Sequence, residues 1–367
     1  MLKKLWASLT IVLIALVAIV SFSQKSSPNE IRIGSILILS GEGASWGEAS
    51  RNGIDLAVAD INARGGIEGK RIVVTHEDNQ SEPKLAIAAL QKLNSAGINF
   101  VIGPSWSNSG LPLIDLANKS KTLMISPSLG LKDFNEGSPY LFNTWPHDET
   151  LSRNLADYIY EAGHHRVVVF GVQDNWTKIQ SRAFQERFEQ LGGTVALLYE
   201  PLSTETDSRA EIAKLKTIVG IDAIVMTDSS FGIFSTTGKQ LRELGITSPM
   251  YSISPNAQQL TNCMQACEGL EYLTFLTPST AFETRYKATY NREVEIGSDS
   301  AYDAVMMLAK AMEATHSTDT TVVATYLADI KEYQGVSGHL VSDGKRAFTK
   351  PYKVMQVVNG EPVDVKK

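Results

Sequence analysis

The stretch from Ile31 to Ile72 constrains the fold most, because it reads as one complete strand, loop, helix and turn unit. Its first part, up to Leu39, is apolar nearly throughout and lacks the polar alternation of a half-exposed strand. That pattern is typical of a central strand in a parallel sheet, which is buried on both faces. Ser45 and Glu48 have the spacing of a capping box, so we predict that a helix begins there. The stretch therefore predicts an α/β fold.

The same order of a strand followed by a helix recurs along the chain with short connections, and it restarts after Trp145-Pro146. Repeats of this kind predict parallel sheets covered by helices, with ligands bound outside the carboxyl ends of the strands. At roughly 150 residues per domain, 367 residues suggest two α/β lobes. The predicted strands of the first half after Ile31–Leu39 are Arg71–His76, Phe100–Ile102 and Leu123–Ile125.

The first residues form a separate segment. Met1–Lys4 is short and basic, and Leu5–Phe22 is uncharged and mainly apolar, which is typical of a signal peptide. We predict a signal peptide over residues 1–23. An uncleaved membrane anchor is the alternative, because the run is close to the ~20 residues that span a bilayer. In both cases we expect the body of the protein to lie outside the cytoplasm, in the periplasm.

Charge and cysteine content exclude some partners. A net charge of −6 with no basic run argues against a nucleic-acid surface. The two cysteines of the chain are Cys263 and Cys267, and in an exported protein we expect them to form a disulfide that stiffens a small loop. A zinc site is disfavoured, because two sulfurs without clustered histidines leave the metal under-coordinated.

Enzymatic motifs are incomplete. Three glycines at 41, 43 and 47 follow a strand, but their spacing differs by one residue from that of a dinucleotide-binding loop. His147-Asp148 and the histidine pair at 164 and 165 resemble acid/base or metal-binding fragments, but each lacks the third partner that such chemistry requires. We therefore expect no catalytic residues, no cofactor and no metal.

Several motifs, in their order and spacing, resemble one known family. They are LSGEGASWGEASRNGIDLAVADINARGGIEGKRI, EDNQSEPKLA, FVIGPSWSNS, LMISPS, SAYDAVMMLAKAME and YQGVSGHLVSDGKRAF. Together they resemble the type I periplasmic binding proteins of branched-chain amino acid ABC transporters, and the resemblance covers nearly all of the chain beyond the predicted signal peptide. The segment Asn62–Gly69, with its paired glycines, is the most specific of these matches.

The resemblance implies two Rossmann-like parallel-sheet lobes, joined by a three-segment hinge, that close on a ligand like a Venus flytrap. It implies discontinuous lobes, the first over residues 31–145 and 278–334 and the second over 146–277 and 335–367. The implied function is capture of a small polar ligand, an amino acid or a related amide or carboxylate, and its delivery to an ABC transporter permease by a monomer. The alternative is a ligand-sensing module of the same fold that passes its closure to a receptor or regulator.

The resemblance also implies ligand contacts in the first lobe. Trp46 matches an aromatic wall of the cleft, and Ser107, with its neighbour Asn108, matches the position that takes a ligand carboxylate. A helix-packing role for Trp46 and a plain helix cap at Ser107 are the alternatives. Ser128 and Gly130 lie at the next strand exit, where relatives use a backbone contact and then a threonine; Gly130 leaves only its backbone for contact.

In the second lobe, Trp176 resembles the aromatic residue that closes over the ligand, and exposure without a role is the alternative. Amino-acid binders of the family have an acidic residue after the strand at 250–253, whereas this chain has Asn256 in that region. We therefore hypothesise that Asp228, with Ser229 beside it, supplies the carboxylate that a buried ammonium requires. A helix cap is the alternative for Asp228, and Asn256 would suit an amide or another neutral ligand.

Overall fold

The computed structural model describes residues 29–41, 43–227 and 231–365, and the predicted signal peptide lies outside them. Its first sheet has five parallel strands in the order β2-β1-β3-β4-β5. Together with the helices packed on it, this sheet forms the five-stranded lobe. The strands are β1 Glu30–Leu37, β2 Arg71–Asp78, β3 Phe100–Ile102, β4 Leu123–Ser126 and β5 Leu141–Asn143.

The second sheet has seven strands in the order β15-β14-β10-β9-β8-β6-β7 and, with its helices, forms the seven-stranded lobe. Strands β14 and β15 run antiparallel to their neighbours, and the remaining pairs are parallel. The strands are β6 Arg166–Phe170, β7 Thr194–Tyr199, β8 Ala223–Met226, β9 Met250–Ile253, β10 Glu271–Thr274, β14 Lys353–Val358 and β15 Glu361–Asp364.

A third, small antiparallel sheet contains β11 Glu332–Gly335, β12 Gly338–Ser342 and β13 Phe348–Thr349. Its Leu340 and Phe348 are buried in the core of the five-stranded lobe. The resemblance in sequence implies that the second lobe resumes at residue 335. The packing of Leu340 and Phe348 instead shows that β12 and β13 belong to the five-stranded lobe. We therefore propose that the lobe boundary lies between β13 and β14.

The helices cover both faces of both large sheets. They are α1 Ala44–Ala63, α2 Pro83–Ser95, α3 Ser107–Gly110, α4 Ile114–Ser120, α5 Lys132–Asn135, α6 Asp148–Glu161, α7 Asn175–Gln190, α8 Arg209–Leu215, α9 Phe231–Glu243, α10 Ala257–Cys263, α11 Thr280–Tyr290, α12 Ser298–Thr315 and α13 Thr320–Asp329. Short 3₁₀ turns occur at Leu111–Leu113 and Met264–Cys267. None of the helices in the described part of the chain is long and apolar enough to cross a membrane.

Alternation along the central strands builds a core on each face of each sheet. In β3 the side chains of Phe100 and Ile102 pack with α1, α12 and α13, whereas Val101 points to the opposite face, against α2 and α4. In the seven-stranded lobe, α6 and α7 cover one face, and α8, α9 and α10 cover the other. Each fully buried aliphatic side chain stabilises the fold by about 1.5–3 kcal/mol. The near-continuous apolar runs of these strands in the sequence reflect the burial of both faces of each sheet.

Cys263 and Cys267 form a disulfide, with their Cα atoms 5.6 Å apart. Both residues are buried in the core between the seven-stranded sheet and α9 and α10. An ideal Cβ at Gly238 of α9 would lie 2.7 Å from the Cys263 Sγ atom, so α9 passes close to the disulfide. The bridge thus ties the end of α10 to the following 3₁₀ turn at a packed position.

Three crossover segments connect the lobes. The first runs from Thr144 to His147 between β5 and α6, the second occupies residues 275–279 between β10 and α11, and the third occupies residues 350–352 between β13 and β14. The α/β architecture of two parallel-sheet lobes that the sequence predicts is therefore confirmed.

Candidate ligand-binding cleft

The start of α1 places Trp46 at the carboxyl end of β1. Gly43 occupies the N-cap position with φ of 85°, and its carbonyl accepts hydrogen bonds from the amides of Trp46 and Gly47. No side chain caps this helix, so the predicted capping box of Ser45 and Glu48 is wrong. The physical reason is that the left-handed conformation of glycine makes the turn one residue before Ala44, which leaves Ser45 inside the first turn.

Ser45 and Glu48 instead attach α1 to the loop before α12. The Ser45 side chain hydrogen-bonds to Glu295, and Glu48 forms an ion pair with Arg292 at 2.6 Å. Burial raises the pKa of Glu295, because a desolvated carboxylate is less stable than its neutral form. These contacts fix the position of the loop and helix that carry Trp46.

Trp46 and Trp106 meet edge to face, with ring centroids 5.6 Å apart and planes inclined by 80°. The half-buried Trp46 side chain packs against a hydrophobic cluster that contains Ile296 of the five-stranded lobe, Trp145 of the first connection between the lobes and core residues of the seven-stranded lobe. An ideal Cβ at Gly43 would lie 2.5 Å from the Trp106 ring, so only glycine leaves room for this ring. The sequence analysis did not single out Trp106, although its position directly before Ser107 at a strand exit was a usable signal.

Ser107 is the first residue of α3 and is half-buried, and Trp106 occupies the N-cap position before it. Within the part of the chain that the structure describes, the Ser107 hydroxyl has no hydrogen-bond partner, so it is available to a ligand. Asn108 is exposed, and its amide donates to the Ser81 carbonyl at 2.9 Å while its oxygen accepts from the Ser109 amide at 2.7 Å. Asn108 therefore holds α3 against the loop before α2.

Ser128 and Gly130 follow β4 at the adjacent strand exit. The Ser128 hydroxyl donates to the Ser105 carbonyl at 3.3 Å, so it contacts the strand exit that carries Ser107. Gly130 is buried, and its carbonyl accepts from the amide of Asp148, which begins α6 of the other lobe. This backbone contact joins the two lobes directly.

Trp176 is the second residue of α7, and its position is set by a capped helix start. Asp174 is the N-cap, and its carboxylate accepts from the amide and the hydroxyl of Thr177 at 2.8 and 2.6 Å. The half-buried Trp176 ring packs against the cores of both lobes, including the cluster that contains Leu129 and Leu131. Its indole N–H donates to Asp148 at 2.8 Å.

Asn256 caps α10 and forms a reciprocal capping box with Gln259. Its carbonyl oxygen accepts from the Gln259 amide at 2.7 Å, and its amino group is buried without a hydrogen-bond partner in the described structure. The free amino group of Asn256 is therefore available to donate to a ligand. The predicted contacts Asp228 and Ser229 lie outside the described residues.

A cavity of about 320 Å³ lies between the lobes beside Gly130. Lys132 of the five-stranded lobe and Glu149 of the seven-stranded lobe line it, and they form an ion pair across it at 3.6 Å. Ile179 and Arg182 of α7 complete the opposite wall. In the described part of the chain, no group of three or more histidine, cysteine, aspartate or glutamate side chains is arranged to hold a metal ion.

Asp303 stabilises the second crossover from within α12. Its carboxylate accepts from the amides of Val336 and Ser337, each at 2.9 Å, and the Val336 and Ser337 carbonyls accept from the Ser279 amide and the Thr277 hydroxyl. Burial raises the pKa of Asp303 to about 6, although these hydrogen bonds favour the ionised form. The buried Asp303 carboxyl thus fixes the backbone at Val336 and Ser337, and this backbone accepts hydrogen bonds from the second crossover segment.

This raised pKa predicts a specific dependence of stability on pH. Because the Asp303 carboxyl has a pKa of about 6 in the folded protein and 3.8 in the unfolded chain, its bound proton stabilises the fold fully only below pH 3.8, and this stabilisation is lost as the pH rises through 6. We expect the free energy of unfolding of the wild type, minus that of Asp303→Asn, to fall by about 2 kcal/mol between pH 4 and pH 7. Urea unfolding at a series of pH values measures this difference.

The variant comparison is needed because other groups titrate in the same range. Burial lowers the pKa of His147, which acts on stability in the opposite direction, and burial raises the pKa of Asp148 to about 6. Both contributions are common to the two proteins and cancel. Parallel pH profiles for the wild type and Asp303→Asn would contradict the raised pKa.

The amino-acid sequence is similar to a known protein family and to individual proteins of known role. The family described as "Periplasmic binding protein" matches residues 30–362. The Leucine-specific-binding protein of Salmonella typhimurium is 29% identical over 206 residues, which is 56% of each chain, so the match spans about half of that relative. The Leu/Ile/Val-binding protein BraC3 of Rhizobium johnstonii is 26% identical over 322 residues, or 83% of this chain and 84% of the relative.

Solved structures show the same fold. The branched-chain amino acid transporter substrate binding protein LivJ of Streptococcus pneumoniae, in complex with isoleucine, superposes with a TM-score of 0.83 at 26% identity, covering 91% of this chain and 99% of that one. The leucine binding protein LivK of Thermotoga maritima has a TM-score of 0.83 at 23% identity, covering 92% and 98%. These proteins are substrate-binding proteins and not enzymes.

Proposed function

Because this chain belongs to the periplasmic binding protein family, we propose that it captures a small polar ligand between its lobes and delivers it to an ABC transporter permease. Membership confirms the family that the sequence motifs indicated, and it implies a location outside the cytoplasm. We further propose that residues 1–23 direct export and that the protein acts as a monomer. The ligand is proposed to be an amino acid or a related amide or carboxylate.

One observation carries this proposal: the predicted aromatic residues lie where the two lobes meet. Trp176 begins a helix of the seven-stranded lobe and packs on the cores of both lobes, and Trp46 packs on a cluster that joins Ile296 of the five-stranded lobe to the core of the seven-stranded lobe. Ser107 and Ser128 lie at neighbouring strand exits. Aromatic walls with a few polar groups between them are typical of a small-molecule site, and contacts to both lobes would favour the closed form.

The polar side chain of Asn256 in the seven-stranded lobe indicates which chemical groups a ligand should carry. The Asn256 amino group has no partner in the described structure, so it suits a carbonyl or carboxylate oxygen, and Asn256 carries no negative charge to neutralise an ammonium. If the ligand is an amino acid, its ammonium requires a carboxylate elsewhere, and we keep Asp228 as the proposed partner. The similarity to an isoleucine-bound transporter protein supports testing branched-chain amino acids first.

A thermal-shift screen over amino acids, amides, urea-like compounds and aromatic acids tests the proposed function. We expect one chemical class to raise the melting temperature by roughly 4 °C at a hundredfold excess over its Kd, because binding stabilises the native state. In Trp46→Ala and Ser107→Ala proteins, which lose the wall and the free hydroxyl, we expect this shift to be largely lost. Ser95→Ala, which removes an exposed hydroxyl that bonds the Gln91 carbonyl of its own helix, is the matched control.

The role of Asp228 is tested in the same screen. If it pairs with an ammonium, Asp228→Asn should abolish the shift from an amino acid and retain the shift from the corresponding acid without the amine. A protein that responds to no compound, or whose response survives both Trp46→Ala and Ser107→Ala, would refute ligand capture at this cleft.

A further inference from the structure

Asp148 is a buried carboxylate held by two tryptophans. It is the first residue of α6 and is 5% exposed. Its Oδ1 atom accepts from the indole N–H of Trp145 and its Oδ2 atom from that of Trp176, each at 2.8 Å. The sequence presented Asp148 only as half of an incomplete acid/base pair with His147. Its actual partners are two side chains with different places in the fold.

Trp145 belongs to one crossover segment and contacts the other two. It lies in the first segment, and its ring meets Phe275 of the second edge to face at 5.9 Å. The ammonium of Lys350, in the third segment, lies 5.4 Å from the centroid of the same ring. A change in the relative position of the three segments must therefore move Trp145 or break its contacts.

Trp176 donates to the second oxygen of the Asp148 carboxylate, and it lies between the two lobes. Gly130 of the five-stranded lobe leaves room for the carboxylate, because an ideal Cβ at this position would lie 2.1 Å from the Asp148 Oδ2 atom. The Asp148 amide also donates to the Gly130 carbonyl at 2.8 Å. Asp148 is thus packed against the backbone of the five-stranded lobe while it binds both indoles.

We propose that Asp148 is a positioning residue that couples the arrangement of the three crossover segments to the placement of Trp176 between the lobes. An indole can only donate, and each of the two indoles here donates to a different oxygen of the carboxylate. Asparagine replaces one of these oxygens with an amino group, which presents N–H groups to one indole, and therefore it cannot hold both indoles in this geometry. The inference rests on the proposed function for the role of Trp176 at the ligand, but the coupling itself is a property of the protein without ligand.

The experiment therefore uses the protein without ligand, labelled with ¹⁵N at its indoles, and measures exchange of each indole N–H with water by NMR. We expect Asp148→Asn to accelerate exchange at Trp176 by at least about tenfold, as expected when a buried hydrogen bond is lost. Trp145→Phe keeps a ring at the crossover but removes its bond to Asp148. Because this variant leaves the Asp148 to Trp176 bond in place, coupling alone predicts faster exchange at Trp176.

Glu186→Gln is the matched control. Glu186 lies on α7, the helix of Trp176, and also joins α7 to α6, through an ion pair with Arg153 at 3.8 Å. We expect it to leave exchange at Trp176 within about twofold of the wild type.

Unchanged exchange at Trp176 in Trp145→Phe would overturn the coupling, even if Asp148→Asn accelerates it, because the bond would then be merely local. If Asp148→Asn fails to fold, Trp145→Phe alone decides the question. The ligand screen tests the proposed function independently, so the two ideas fail by different results.

Discussion

Replacing Lys350 with alanine is expected to lower the free energy of unfolding by about 3–5 kcal/mol. The Lys350 ammonium lies 3.5 Å from the Asp299 carboxylate, and both side chains are fully buried. Removal of the cation leaves a carboxylate inside the protein without its counter-charge, and it also removes the cation–π contact with Trp145. Urea unfolding monitored by circular dichroism measures the loss.

Lys353→Ala is the control for this prediction, because Lys353 lies three residues further and pairs with Asp364 at 3.9 Å on the surface. An exposed pair of this kind contributes about 0–1 kcal/mol, so the control should change little. Adding Asp299→Asn to Lys350→Ala should restore part of the lost stability, since it removes the isolated charge. A loss below about 1 kcal/mol for Lys350→Ala would show that the pair does not hold the crossover.

Gly47→Ala is expected to destabilise the fold by about 3 kcal/mol and to abolish ligand binding. An ideal Cβ at Gly47 would lie 1.6 Å from the carbonyl oxygen of Ile38, and a backbone atom of a buried segment cannot move aside. The start of α1 must then separate from the end of β1, which displaces the neighbouring Trp46. The melting temperature and the thermal-shift response to the ligand measure the two effects.

The matched control is Gly232→Ala, a second helical glycine in the chain. Among the residues that the structure describes, no atom lies within 4 Å of an ideal Cβ at Gly232, so alanine should be tolerated or should stabilise α9 by up to about 1 kcal/mol. Equal effects of the two substitutions would mean that helix propensity, and not the close approach of α1 to β1, decides the result.

The sequence predicts the order of strands and helices well because the two sheets are buried on both faces. Apolar runs such as Ile31–Leu39 are a direct consequence of that burial, and the strand observed there is Glu30–Leu37. The small sheet was harder to assign, because the alternation of β12 shows that a strand exists but not which core receives Leu340. Local sequence patterns therefore predict secondary-structure elements better than they predict which elements pack together.

The sequence places Trp46, Ser107 and Trp176 directly after strands, and the structure has them at strand exits; their contacts to a ligand stay a prediction. The site was not predictable where tertiary contacts decide the geometry. The left-handed Gly43 replaces a capping box because the Trp106 ring packs on it, and Trp106 is 63 residues away in sequence. The partners of Asp148 likewise lie 3 and 28 residues along the chain, and only the fold brings the second one to its carboxylate.

The central claim is that the two lobes close on a ligand, and small-angle X-ray scattering tests it most directly. The protein stripped of ligand by unfolding and refolding is compared with the same protein saturated with the compound that gives the largest thermal shift. We predict a smaller radius of gyration and a shorter maximum dimension with ligand, because contacts to both lobes favour the closed form. Identical scattering profiles with and without a compound that demonstrably binds would contradict the account.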